Sequence, residues 1–201
     1  MMPYSSHFVV AAAFASMAML PARAGNLVKD ASFEKPVVPD GTYQSFSTGD
    51  SFKNWTVVGE PGNVAIVNQD FTYCAHTFPA RKGVQFVDLT GTTDTSGTGL
   101  QQTIDTAPGA TYSLAFYIGN VYDTASNCGT TSTVNVLIDG APVASFTNKR
   151  GKGSTSIVWQ KFATEFVAQN ATTTVALVNG DPTADTANAL DAVSVTPVSA
   201  P

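Results

Sequence analysis

Few residues in this chain have the types and spacing that catalysis needs. Histidine occurs only at His7 and His76, and cysteine only at Cys74 and Cys128. A Ser-His-Asp or Cys-His arrangement would have to use His76, and no G-x-S-x-G turn is present to carry a serine nucleophile. A glycosidase needs two carboxylates held about 5 to 10 Å apart in a cleft. No Asp or Glu lies in a context diagnostic of that role. The residue types therefore predict a protein that is not an enzyme.

One acid raises a different question. In "ALDAVSV", Ala189 to Val195, a strand's period of two puts Asp191 on one face with Val193 and Val195, and sends Leu190, Ala192 and Ser194 to the other. An unpaired carboxylate buried among valines is strongly unfavourable. The sequence must supply a cation, a set of donors, or an escape to the strand's end.

The first residues bear on compartment. An apolar run from Phe8 to Leu20 is followed by Pro21 and the small-x-small triplet Ala22-Arg23-Ala24, the pattern of a secretory signal peptide over residues 1–24. The run is short for a span, which needs about 20 residues. No second run of spanning length follows, so the expected protein is secreted or periplasmic, with no membrane span once the signal is removed. Charged residues make up 12% of the chain and the net charge is -5. That balance argues against nucleic acid as a partner. An oxidising compartment favours pairing Cys74 with Cys128, each of which sits in a polar, loop-like stretch. Such a disulfide would staple two loops at one end of the fold.

The elements that must position these residues are strands. "TYSLAFYIG" places Tyr112, Leu114, Phe116 and Ile118 on one face, and "TVNVLIDG" alternates Val134, Val136 and Ile138 before an Asp139-Gly140 hairpin turn. "VWQKFATEFVA", "TTTVALVNG", "GLQQTI", "VQFVDLTG" and "WTVVG" alternate in the same way. No stretch outside the leader holds a helical apolar period. The reading is one all-β sandwich or jelly roll over residues 25–196, followed by a disordered tail at 197–201.

The ordered series "NLVKDASFEKP", "WTVVG", "QFVDLTG", "GLQQTI", "YSLAFYIGNVYD", "VNVLIDG", "QKFATEFVA" and "NGDPTADTANALDAVSV" resembles bacterial exported proteins of the choice-of-anchor C type. It is also similar to the related plant cell-wall proteins with galactose-binding-like domains. The resemblance implies a galactose-binding-like jelly roll of the kind shared by carbohydrate-binding modules. It also implies a structural calcium ion tying the first strand to the last, with Glu34 of the Phe33-Glu34 pair and Asp191 as ligands and carbonyls near Ser32 and Lys82 assisting. Calcium takes six to eight oxygens in flexible geometry, which suits such a set. Relatives commonly carry an acid where this chain has Arg81-Lys82, which weakens the site or lets a lysine replace the ion. The alternative is that Glu34 and Asp191 cap strand ends through backbone N–H groups.

The expected function is binding of a polysaccharide or cell-surface glycan by a secreted, non-catalytic module. A structural or adhesion protein of the matrix or envelope is the alternative. Saccharides are held by aromatic faces beside polar side chains. Tyr117, pointing away from Phe116 and Ile118, with Asn120, Tyr122 and Asp123 in the following loop, forms one half of the candidate site. Tyr73 and His76, linked to that loop by the disulfide, form the other. Trp159 is the rival aromatic and Trp55 belongs to the core. Tyr117 could instead face a second layer.

Overall fold

Alternation builds the two large sheets of the computed structural model, which describes residues 25–123 and 128–198. The leader expected at 1–24 lies outside the described residues. The strands are β1 (Tyr43–Ser47), β2 (Ser51–Phe52), β3 (Trp55–Gly59), β4 (Asn63–Asn68), β5 (Thr72–Tyr73), β6 (His76–Thr77) and β7 (Gln85–Asp88). They continue with β8 (Thr98–Asp105), β9 (Thr111–Asn120), β10 (Ser132–Ile138), β11 (Ala141–Asn148), β12 (Val158–Val167), β13 (Thr172–Asn179) and β14 (Asn188–Pro197). No helix occurs among the described residues. One six-stranded sheet runs β1-β4-β7-β14-β9-β12, the other runs β11-β10-β13-β8-β3-β2, and β5-β6 is a separate hairpin. Pairing within both large sheets is antiparallel. This is the expected jelly-roll sandwich.

The inner faces carry the main core. Tyr112, Leu114, Phe116 and Ile118 of β9 are buried against Val134 and Val136 of β10, Leu100 of β8 and Leu177 of β13. The Asp139-Gly140 turn has φ of 50° and 80°, the backbone a two-residue hairpin of matching twist requires. Trp55 is buried beside Phe33, ring centroids 5.3 Å apart, and its Nε1 donates to the Asp30 carbonyl. That contact draws the irregular segment before β1 into the sandwich.

A second apolar cluster lies on the other face of the β1-β12 sheet. Ala65, Val67, Phe86 and Ala189 project outward there and are covered by Phe78, Cys128 and Ile157, with Phe71, Cys74 and Trp159 at the margin. The cover is held by the Cys74–Cys128 disulfide, which spans 54 residues of sequence with the Cα atoms 6.2 Å apart. This sheet is therefore buried on both faces over β4, β7 and β14.

The face expected for Asp191 is reversed. The register of β14 against β9 shifts between Asp191 and Ser194, and Ala192 takes φ of 52°. This bulge places two successive residues where the pleat allows one. Leu190, Val193 and Val195 all enter the main core, while Asp191 lies opposite Tyr117 on the outer face. At the chain's end β14 includes Pro197, and the Val198 N–H donates to the Thr111 carbonyl at 2.9 Å. Strand β14 thus runs one residue past 196, where the sequence reading ended the domain; residues 199–201 lie outside the described residues.

Candidate functional site

The outer face of the β4-β7-β14 region opens into a cavity of about 290 Å³. Register explains why it is hollow. Ala65, Asp88 and Ala189 stand side by side in one row across β4, β7 and β14, with Val67 and Phe86 in the next. Two alanines flanking a carboxyl leave space that larger residues would fill. The walls are rings: Tyr43 meets Phe71 edge-on at 5.6 Å, and Phe71 contacts both Tyr73, at 6.4 Å, and Phe78, at 5.9 Å. Phe78 stacks on Phe86 at 6.4 Å, and Phe86 meets Trp159 at 5.7 Å. An aromatic surface thus runs from the edge strand β1 to β12.

Asp88 is the polar group at the floor. Its Oδ1 accepts from the Thr90 hydroxyl at 2.7 Å and the Thr90 N–H at 3.1 Å. The same hydroxyl oxygen accepts from the Ala187 N–H at 3.2 Å, which fixes the carboxyl's rotamer. Burial pushes the Asp88 pKa up to about 6 against the lowering effect of Thr90, and the Asp94 charge adds to the rise. Asp94 also lines the cavity. Burial raises its pKa, with a further contribution from Asp185. With a pKa near 6 this carboxyl keeps a protonated fraction just below neutral pH, and beside stacked rings it can donate that proton to an apolar, unsaturated molecule.

Of the six residues assigned to sugar binding, one lines this cavity. Tyr73 alone joins the cavity wall. His76, its register partner in the β5-β6 hairpin, is buried, with Nδ1 2.7 Å from the Cys74 carbonyl oxygen. Asn120 is a framework residue: it is fully buried, its Nδ2 donates to the Ser132 hydroxyl, and its Oδ1 accepts from the Gly151 N–H at 2.8 Å. Tyr117 does face outward, but Arg81 covers its ring at 4.4 Å and donates to its hydroxyl at 3.2 Å. Tyr122 lies under Lys152, whose Nζ is 5.5 Å from the ring centre. The Asp123 N–H donates to the Gly129 carbonyl, and the Asp123 carbonyl accepts from the Cys128 N–H. Trp159 is tied down by donation from Nε1 to the Pro79 carbonyl.

Glu34 and Asp191 flank one turn. Glu34 Oε1 accepts from the N–H groups of Val84 and Gln85 at 3.1 and 3.2 Å, and Asp191 Oδ2 accepts from the Lys82 N–H at 2.8 Å. Asp191 is fully buried, and burial raises its pKa to about 7 against these donors, with the Glu34 charge adding to the rise. Neutral N–H groups satisfy these hydrogen bonds but leave the two charges uncompensated. Ser32 lies in the turn just before Glu34. Among the described residues no group of three or more His, Cys, Asp or Glu is placed to hold a metal, so carbonyl oxygens would have to complete the shell.

A sequence profile of the HpiC1-like family, described as HpiC1 cyclase, matches residues 25–195. The chain belongs to the HpiC1-like family. No curated protein matches the HpiC1-like chain by sequence. Among solved structures it is similar to the Stig cyclase Fisc from Fischerella sp. TAU in complex with (3Z)-3-(1-methyl-2-pyrrolidinylidene)-3H-indole, with TM-score 0.63, 17% identity, and coverage of 88% of this chain and 98% of that one. A cyclase from Fischerella sp. TAU in complex with 4-(1H-indol-3-yl)butan-2-one gives TM-score 0.59 and 19% identity over 89% and 100% of the two chains. The CBM22-1 xylan-binding domain of Paenibacillus barcinonensis Xyn10C is also similar, at TM-score 0.49 and 16% identity over 82% and 100%.

The family corrects the expectation of a non-catalytic protein, since it is a family of cyclases. It is also the family shown, in place of the choice-of-anchor C type to which the motifs point. Sequence reasoning missed Asp88, although the signal was available: in "QFVDLTG" Asp88 shares a strand face with Phe86, the same kind of anomaly as Asp191.

Proposed function

We propose that this HpiC1-like protein is a cyclase that closes a ring by proton transfer on an apolar, ring-bearing substrate, with Asp88 as general acid. The observation that carries this reading is a carboxyl of raised pKa at the floor of an aromatic-walled cavity. Asp88 would donate its proton to an unsaturated carbon, and the cation so formed would be stabilised by ring faces through cation–π attraction. Attack by an electron-rich carbon of the same molecule then forms the ring bond, and loss of a proton to Asp88 restores the acid. Thr90 orients the carboxyl, and Ala65 and Ala189 leave room for substrate. Indole-bearing ligands are the first to try, given those named for the Fischerella cyclases. Export is supported by the disulfide. Calcium at Glu34 and Asp191 would act as a structural tie, remote from any proton step.

The test is a 3-alkenylindole incubated in D2O and followed by NMR for ring closure and deuterium uptake. Closure should accelerate as pH falls from 8 toward 6, where Asp88 gains its proton, and Asp88→Asn should lose about a hundredfold or more. Unchanged turnover in Asp88→Asn sinks the assignment. A saccharide is the second reading, favoured by the exposure of Tyr43 and Tyr73, 47% and 56%, at the cavity's edge. Retention of xylo-oligosaccharides with no binding of any indole would favour it.

A further inference from the structure

Among the described residues, the cavity holds two carboxyls and no counter-charge. Asp88 stands on its floor and Asp94 on its rim, and no Lys, Arg or His is among the described residues that line it. Asp94 is pinned by its main chain, its N–H donating to the Thr90 carbonyl at 3.1 Å and its carbonyl accepting from the Ala184 N–H at 3.0 Å. Its side chain is not so engaged: no described residue donates to that carboxyl. Behind it lies Asp185, whose carboxylate is consumed by Thr130 and Thr131 and adds negative potential. The aromatic lining includes Tyr43, Phe71, Tyr73 and Phe78, and the faces of such rings are the negative ends of their quadrupoles.

We propose that the cavity selects ligands carrying a positively charged nitrogen, an ammonium or iminium group on an apolar ring system, with that nitrogen seated between the Asp94 carboxylate and the aromatic wall. This rests on the reading of the cavity as the substrate site and adds the substrate's charge. A cation there satisfies a carboxylate that has no donor among the described residues and lies against rings that attract it. A neutral ligand of the same shape gains the apolar contacts but leaves Asp94 desolvated and unpaired. An anion meets two carboxyls at once and is rejected.

Three probes of one shape separate these cases: tryptamine, 3-propylindole and indole-3-propionate, which carry a positive, zero and negative side chain. Calorimetric titration of the whole protein at pH 7.5 should place tryptamine about tenfold tighter than 3-propylindole, with indole-3-propionate weakest. Asp94→Asn should cut tryptamine affinity about tenfold while 3-propylindole moves less than threefold. Asp94→Glu should keep the preference for tryptamine. Equal or tighter binding of 3-propylindole, or a preference for tryptamine unchanged in Asp94→Asn, overturns the proposal and leaves the cavity as an indole site. Failure of all three probes to bind removes both the proposal and the reading beneath it.

Discussion

Asp181→Asn should flatten the dependence of stability on pH. Asp181 is fully buried; its Oδ1 accepts from the Thr133 N–H at 2.7 Å, and its Oδ2 is buried with no hydrogen-bond partner. Burial raises its pKa from 3.8 to about 7. The folded state therefore binds the proton more tightly than the unfolded state does. Stability is greatest below the unfolded pKa and falls as pH rises through the folded one. Between pH 5 and pH 8 an acid with these two values loses about 2.6 kcal/mol of folding stability, taken as an upper figure. For a domain of this size that corresponds to roughly 5–10 °C in Tm. Asn keeps the acceptor toward Thr133 and places an uncharged amide where Oδ2 had no partner, so it mimics the protonated acid at every pH. Urea denaturation at pH 5 and pH 8, on wild type and Asp181→Asn, reads the difference directly. Wild type should be less stable at pH 8, and the variant should show a smaller drop. Stability that is flat or rising from pH 5 to 8 in wild type, or the same slope in both proteins, would refute the reasoning.

Three further outcomes are expected. Ala189→Leu fills the cavity floor next to Asp88, and indole binding measured by fluorescence titration should fall at least tenfold while the far-ultraviolet spectrum is retained. Cys74→Ser with Cys128→Ser should lower stability by up to about 4 kcal/mol in the chain-entropy account of a 54-residue separation, measured by urea denaturation. It should also weaken ligand binding, because the hairpin that carries Tyr73 loses its staple. Calcium at a hundred times its Kd should stabilise the protein by about 2.7 kcal/mol relative to EDTA, and Glu34→Gln should abolish the difference; identical melting curves in both conditions would leave main-chain capping as the whole account.

Much of the sandwich is legible in residue order. The period of two in β9 and β10 forces Leu114, Phe116, Ile118, Val134 and Val136 to one side, and all five are fully buried. The Asp139-Gly140 pair meets the backbone demand of its hairpin without help from the rest of the fold. Cys74 and Cys128 are the only cysteines, so an oxidised chain has one intramolecular pairing to make. These features follow from local geometry and from the cost of exposing apolar surface, and both act on neighbouring residues.

What depends on residues distant in sequence escaped. Asp191 read as core-facing because alternation alone cannot register a bulge, and Ala192 carries no turn residue's signature. Asn120 read as a ligand residue at a loop's entrance, yet its amide closes hydrogen bonds to Ser132 and Gly151 that exist only when those segments meet. The cavity is the largest omission. Its parts run from Tyr43 to Ala189, and a row such as Ala65-Asp88-Ala189 is set by inter-strand register. Composition could place an acid and several aromatic residues in the chain. Only the packed sheet, stapled hairpin and all, decided that the acid would sit partly desolvated among the rings, because desolvation and close approach are properties of the assembled surface.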